Sequence, residues 1–129
     1  MRRFRYNKLV RDKILDSMLE KKEKIEYHIL SDQEYLVELK KKIVEEAGEI
    51  DLNNKEELKK ELADLQEVLD CIIAAIGASP REIKNLQDEK NAKAGSFKNR
   101  VFIDTTELQE GNPWIKHLAA SPDRYPEIK

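Results

Sequence analysis

The sequence predicts a mainly α fold, an antiparallel bundle of about four helices with a minor two-stranded β element. Apolar residues recur from Leu58 to Ile76 at alternating spacings of four and three, the period of a helix with a buried side. Apolar residues make up 40% of the chain and charged residues 39%, with only 4 Gly and 4 Pro, which is typical of a helix-rich soluble protein. Capping signals are present at the predicted ends of these helices.

The first two predicted helices follow a basic N-terminal segment. Apolar positions from about Leu9 predict a helix that ends in the lysine-rich stretch 21–24. Residues 25–30 then alternate apolar and polar side chains, as a strand does. Ser31 followed by Glu34 is a capping-box signal that predicts the start of the second helix.

The third and fourth helices have similar end signals. Asn54 repeats the capping signal, and Gly77 is a natural C-terminal stop for the third helix. Ser79 and Pro80 then predict a fourth helix that runs to about Lys93.

The signals weaken towards the C-terminus. Residues 100–104 are predicted to form a second strand that could pair with residues 25–30. Beyond Thr105, turn-rich segments leave room for only a short helix near residues 115–119. We therefore expect a helical domain over residues 1–104 and a C-terminal extension, residues 105–129, that packs on its body.

Composition also indicates where the protein works. No apolar run approaches the roughly 20 residues that span a bilayer, and no apolar segment follows the basic start to suggest a secretory signal. The single cysteine, Cys71, cannot form an internal disulfide, which favours a reducing compartment. With a net charge of −2, we expect a cytoplasmic protein that binds no membrane and has no global electrostatic attraction to nucleic acid.

Two acidic pairs occupy matching positions on the second and third helices. Glu46 and Glu49 lie three residues apart, as do Glu61 and Asp64, so each pair shares a side of its helix. In a hairpin that turns near residues 53–54, the two pairs lie at the same distance from the turn. On each helix the first acid of the pair is rotated by about 60° from the apolar stripe, and the second acid by about 120°. The four carboxylates are predicted to form one cluster.

Such a cluster is expected to need cations. Carboxylates at short range repel one another and raise each other's pKa unless positive charge neutralises them. Oxygen ligands suit Mg²⁺ or Mn²⁺, and Mg²⁺ usually combines a few carboxylates with substrate phosphates. The alternative interpretation is a solvated acidic surface.

Basic residues flank this acidic middle. The candidates for phosphate contacts are Lys8, Arg11, Lys13, Lys93 and Arg100. Ordinary surface charge is the alternative.

The third helix also predicts a partner subunit. The side that carries Glu61 and Asp64 continues as Val68, Cys71 and Ala75, so this helix is apolar on two sides. Both sides need cover, and we expect a homodimer or a dimer of dimers.

The acidic pattern resembles that of the MazG-like nucleoside triphosphate pyrophosphohydrolases, which belong to the all-α superfamily of dimeric dUTPases and phosphoribosyl-ATP pyrophosphohydrolase. The pattern Glu-Glu-x-x-Glu then Glu-x-x-Asp corresponds to Glu45, Glu46, Glu49, Glu61 and Asp64. Residues 7–14 resemble the opening of one branch. Residues 93–100 resemble its Arg-Gly-Gly-Phe segment, with Ala94 and Ser96 replacing Arg and the second Gly. The resemblance covers about residues 6–104.

The resemblance implies Mg²⁺-dependent hydrolysis of a nucleoside triphosphate to its monophosphate and pyrophosphate. The implied metal ligands are Glu46, Glu49, Glu61 and Asp64. Glu45 or Glu49 would receive a proton from the attacking water or hold that water. The five basic residues would offset charge on the phosphoryl oxygens.

Other functions fit the same residues. Phosphoribosyl-ATP, dUTP or dCTP could be the specific substrate. A di-iron bundle would need Glu-x-x-His pairs, which His28 and His117 do not complete. A non-catalytic oligomeric bundle, or a protein that contacts RNA through its basic N-terminal arm, is a further alternative.

Overall fold

The computed structural model describes residues 1–129 and contains five helices and no strand. The helices are α1 (Asp12–Glu20), α2 (Asp32–Gly48), α3 (Lys55–Ala75), α4 (Pro80–Ala94) and α5 (Pro113–Ala119). The predicted mainly α fold is confirmed. None of these helices has the length and apolar character needed to cross a membrane.

The chain divides into two compact units, Met1–Lys93 and Ala94–Lys129. This division lies earlier in the sequence than residue 104, where the sequence signals begin to weaken. The acidic residues of the predicted cluster all belong to the first unit, and α5 belongs to the second.

Side-chain caps define the helix starts in the first unit. The Ser31 hydroxyl accepts a hydrogen bond from the Glu34 N–H, and the Glu34 carboxylate accepts one from the Ser31 N–H, both at 3.3 Å. Ser79 caps α4 through the same reciprocal arrangement, and Asn54 accepts the Glu57 N–H at 3.2 Å. Each cap contributes about 1 kcal/mol. The predicted starts of α2, α3 and α4 are confirmed.

Gly77 ends α3 as predicted. Its φ of +75° is left-handed, a conformation that glycine adopts without a Cβ penalty. The Gly77 N–H donates to the Ala74 carbonyl at 3.1 Å, and the Ala78 N–H donates to the Ile73 carbonyl at 3.0 Å. These two bonds form a Schellman motif, which satisfies carbonyls that the helix end leaves free.

Helix α2 packs against α3 within the first unit. Leu39 on α2 and Val68 on α3 are the two buried apolar residues. Leu62, Leu69 and Ile76, which the leucine-rich stripe predicts to be buried, are 49%, 39% and 57% exposed. That prediction is wrong for the single chain, because α3 is apolar on two sides and α2 covers only the side of Val68.

The predicted β element is absent. Residues 25–30 and 100–104 are irregular, and neither segment forms strand hydrogen bonds. Ile29, Val101 and Phe102 are largely exposed. Alternating residues stabilise a strand only where a neighbouring strand and a core cover one face, and neither segment has that cover.

The second unit contains the predicted short helix. Asn112 caps α5 by accepting the Trp114 N–H at 2.9 Å, and Pro113 occupies its first turn, where a missing N–H costs nothing. The Trp114 and His117 rings meet edge to face, with centroids 5.1 Å apart. The two rings belong to residues three apart on α5, which lie on the same side of a helix.

Candidate metal centre

The hairpin places two acids on the surfaces where α2 and α3 face each other. Glu46 follows the buried Leu39 by seven residues, and Glu61 precedes the buried Val68 by seven. Seven residues are almost two helical turns, so each acid lies in line with the residue that its helix buries. Both acids lie at the end of the hairpin near the loop, where the apolar contact gives way to carboxylates.

Three carboxylates converge at this end. Glu46, Glu61 and Asp64 each offer an oxygen, and these oxygens lie within 4.8 Å of one another. The three side chains are half-buried. Oε2 of Glu46 and Oε2 of Glu61 are buried and accept no hydrogen bond. A buried anionic oxygen without a partner is unfavourable, so this group of atoms suits a cation.

The electrostatics of the cluster reflect the same crowding. The pKa of Glu46 is raised, first by burial and then by the negative charges of Glu49 and Asp64. The pKa of Glu61 is raised by the same causes in the same order. Glu46 and Glu61 therefore hold protons more tightly than isolated glutamates do.

Glu49 lies outside the group of three. Helix α2 ends at Gly48, so Glu49 is its C-cap residue rather than part of the helix, and its side chain is exposed. Its charge still acts on Glu46 and Glu61. The structure thus brings together three of the four predicted ligands and leaves the fourth beside them.

The segment before α1 contacts the acids of both helices. The Arg11 guanidinium lies 2.7 Å from Oδ1 of Asp64 on α3. The Lys8 ammonium lies 3.2 Å from Oε1 of Glu45 on α2. Two of the basic residues selected from the sequence therefore lie at the acidic end of the hairpin.

Glu45 is held from two sides. Besides Lys8, the Lys42 ammonium lies 3.2 Å from Oε2 of Glu45. Lys42 and then Lys8 lower the pKa of Glu45. Lys42 is not among the basic residues predicted from the sequence, although its spacing of three residues from Glu45 on one helix is a signal for such a pair.

The other predicted basic residues are Lys13, Lys93 and Arg100. Lys13 lies in the first turn of α1 and makes no ion pair. Lys93 lies in the last turn of α4, is exposed and is also unpaired. Arg100 belongs to the second unit, where its N–H donates to the Phe97 carbonyl at 3.1 Å. A phosphate contact from these three residues stays a prediction.

No family model matches the sequence, and no curated protein or solved structure matches the chain. The function is therefore inferred from the chemistry of the cluster and from the sequence pattern that carries it.

Proposed function

We propose that the protein hydrolyses a nucleoside triphosphate to its monophosphate and pyrophosphate with Mg²⁺, for which Mn²⁺ can substitute. The observation that carries this proposal is the convergence of Glu46, Glu61 and Asp64 around two unpartnered buried oxygens. The resemblance of the acidic pattern to that of the MazG-like pyrophosphohydrolases supports the same activity.

The residues fit a hard divalent cation. Glu46, Glu61 and Asp64 would hold it, with Glu49 as the fourth proposed ligand. Carboxylate oxygens are the ligands that Mg²⁺ and Mn²⁺ favour, and positive charge would relieve the repulsion that helps to raise the pKa of Glu46 and Glu61. When bound, Mg²⁺ neutralises phosphate charge and lowers the pKa of a bound water.

Two glutamates are candidates to accept the proton of the attacking water. The two ammonium groups on Glu45 lower its pKa, which makes it a weaker base. Glu49 is exposed and makes no ion pair. We therefore assign proton acceptance to Glu49 as its alternative to holding the metal, because a bound cation would weaken it as a base in the way that the lysines weaken Glu45. The organisation of the nearby lysines is assigned to Glu45.

The basic residues would bind the substrate's phosphates. Arg11 and Lys8 already lie at the acidic end of the hairpin, and an approaching triphosphate offers them more anionic oxygens than their present carboxylate partners do. Lys13, Lys93 and Arg100 are assigned supporting contacts on sequence grounds alone.

The exposed apolar residues support an oligomer. Leu62, Leu69 and Ile76 form an exposed stripe on α3, and Val37 and Val44 are exposed on α2. Apolar surface of this kind favours association. We propose a homodimer or a dimer of dimers in the cytoplasm, and light scattering that finds only monomer at micromolar concentration contradicts it.

The test of the activity is a nucleotide panel. The protein is incubated with Mg²⁺ and a set of triphosphates that includes dUTP, dCTP and phosphoribosyl-ATP, and the monophosphates formed are identified. Asp64→Asn should abolish turnover with the helical circular dichroism unchanged. Glu56→Gln, on the exposed surface of α3, is the matched control and should retain it.

Two outcomes contradict the proposal. One is turnover by Asp64→Asn at the parent rate. The other is RNA binding that falls steeply with salt, persists after chelation of Mg²⁺ and is accompanied by no hydrolysis, which would favour the non-catalytic alternative.

A further inference from the structure

A small cavity of about 190 Å³ lies between the N-terminal segment and α2. Residues 7–9 form one wall, and Glu38, Lys41, Lys42 and Glu45 form the other. With Lys8, the lining contains three ammonium groups and two carboxylates. The cavity therefore carries one surplus positive charge.

The surplus positive charge comes from the two lysines that pair with Glu45. Lys41 is paired with Glu38 at 3.0 Å, one cation to one anion. Lys42 and Lys8 instead share Glu45, one on each carboxylate oxygen, both at 3.2 Å. One carboxylate neutralises only one of these two cations. Each ammonium has three donors, so both lysines keep donors for another ligand.

Lys42 differs from the ordinary surface lysines of this chain. Lys59 forms the same kind of pair, with a glutamate three residues away, but its side chain is 60% exposed. The Lys42 side chain is only 20% exposed. A lysine that is packed along its length loses less conformational entropy when a ligand binds, which makes Lys42 a preorganised donor.

We propose that this cavity, named here the lysine pocket, binds the phosphate end of the substrate and that Lys42 and Lys8 are its phosphate donors. The proposal rests on the proposed function. Lys42 lies one helical turn before Glu46 on α2, and its positive charge acts on Glu46, so the pocket adjoins the carboxylate cluster. Its volume is below the range of about 300–1,000 Å³ that holds a whole drug-sized ligand, which suits the phosphates and leaves the base outside.

The pocket can be tested without metal or turnover. Inorganic tripolyphosphate is titrated into the metal-free protein at low ionic strength and followed by ³¹P NMR. Lys42→Gln should weaken binding about tenfold, the expected loss for one charge-assisted hydrogen bond, and Lys42→Arg should restore most of it. The control Lys59→Gln should change binding less than about twofold.

Glu45→Gln should change tripolyphosphate binding in the direction opposite to that of Lys42→Gln. It removes a negative charge from the lining and frees both ammonium groups, so tripolyphosphate binding should tighten. A merely structural role for the contact between Lys42 and Glu45 would weaken binding in both Lys42→Gln and Glu45→Gln. That result would overturn the proposal, as would the absence of tripolyphosphate binding by the parent protein or equal losses in Lys42→Gln and Lys59→Gln.

The proposed phosphate binding in the lysine pocket and the proposed hydrolase activity can be refuted independently. Binding of tripolyphosphate that depends on Lys42, without hydrolysis of any nucleotide, supports the pocket and refutes the activity. Hydrolysis whose KM is unchanged in Lys42→Gln refutes the pocket and keeps the activity.

Discussion

Removing the charge of Glu46 should stabilise the metal-free protein at neutral pH. The Glu46 oxygen lies within 4.8 Å of oxygens of Glu61 and Asp64. At that separation, two unit charges in water repel by about 0.9 kcal/mol. Glu46 experiences two such repulsions, and screening by solvent leaves a net of about 1 kcal/mol. For a chain of this length, Glu46→Gln should therefore raise Tm by about 3–5 °C.

The pH dependence follows from the raised pKa of Glu46. A carboxyl group whose pKa is raised by folding binds its proton more tightly in the folded state. Its stabilising contribution is therefore complete below its ordinary pKa of 4.5 and is lost as the pH rises through the raised value. The difference between Glu46→Gln and the parent should be largest near neutral pH and should close as the pH falls towards 4.5.

The assay is thermal unfolding with and without Mg²⁺. A cation that binds only the folded state stabilises it in proportion to ln(1 + [Mg²⁺]/Kd), so Mg²⁺ should raise the parent Tm and raise the Tm of Glu46→Gln much less. Glu56→Gln is the control for the Mg²⁺ response. Glu56 lies in the first turn of α3 and is paired with the exposed Lys59, so removal of its charge should lower Tm slightly and should leave the stabilisation by Mg²⁺ unchanged.

Two results would refute this reasoning. One is a lower metal-free Tm for Glu46→Gln than for the parent at neutral pH. The other is an equal Mg²⁺ stabilisation of the parent and Glu46→Gln.

Three further predictions concern the surroundings of the cluster. Arg11→Gln frees Oδ1 of Asp64 and should tighten Mn²⁺ binding by at most about fivefold, since an exposed ion pair is worth about 1 kcal/mol or less; weaker binding would show that Arg11 does not compete with the cation. Gly77→Ala should lower the free energy of unfolding in urea by about 1–2 kcal/mol, because the φ of +75° is strained for alanine. No atom lies within 4 Å of the added Cβ, so this strain is the whole expected effect; an unchanged urea midpoint would contradict the prediction. Leu69→Asp should convert the proposed oligomer to monomer in light scattering with helicity unchanged, and an oligomer of unaltered mass would contradict an interface at this stripe of α3.

The helix ends could be predicted because their causes are local. Ser31, Asn54 and Ser79 bond to N–H groups within their own first turns, and Gly77 supplies a backbone conformation that its neighbours cannot adopt easily. No distant residue is needed for either effect. A strand at residues 25–30 would have needed a partner strand, and the segment has none.

The packing side of α3 could not be predicted from its own sequence. The leucine-rich side is more apolar than the side of Val68, but the position of α2 decides which one is buried. The same dependence affects the cluster. Glu46, Glu61 and Asp64 converge because they lie towards the facing sides of the hairpin, whereas Glu49 lies outside because α2 ends at Gly48.

The role of Lys42 could not be predicted from the sequence, for a different reason. A lysine three residues from a glutamate is common on a charged helix, and Lys59 and Lys60 make equivalent pairs. What distinguishes Lys42 is its low exposure and the second ammonium on Glu45. Both properties depend on the tertiary structure, since the second ammonium belongs to Lys8 in the N-terminal segment, 37 residues before Glu45 in the chain.

Glu46, Glu61 and Asp64 are proposed to hold one divalent cation together. Electron paramagnetic resonance of Mn²⁺ tests this claim directly, because the sharp signal of free Mn²⁺ disappears when the ion is bound. The parent protein and Glu56→Gln should deplete that signal equally, and Glu61→Gln should leave most of it. A parent protein that leaves the free signal intact, or a Glu61→Gln variant that depletes it as fully as the parent does, would contradict the claim.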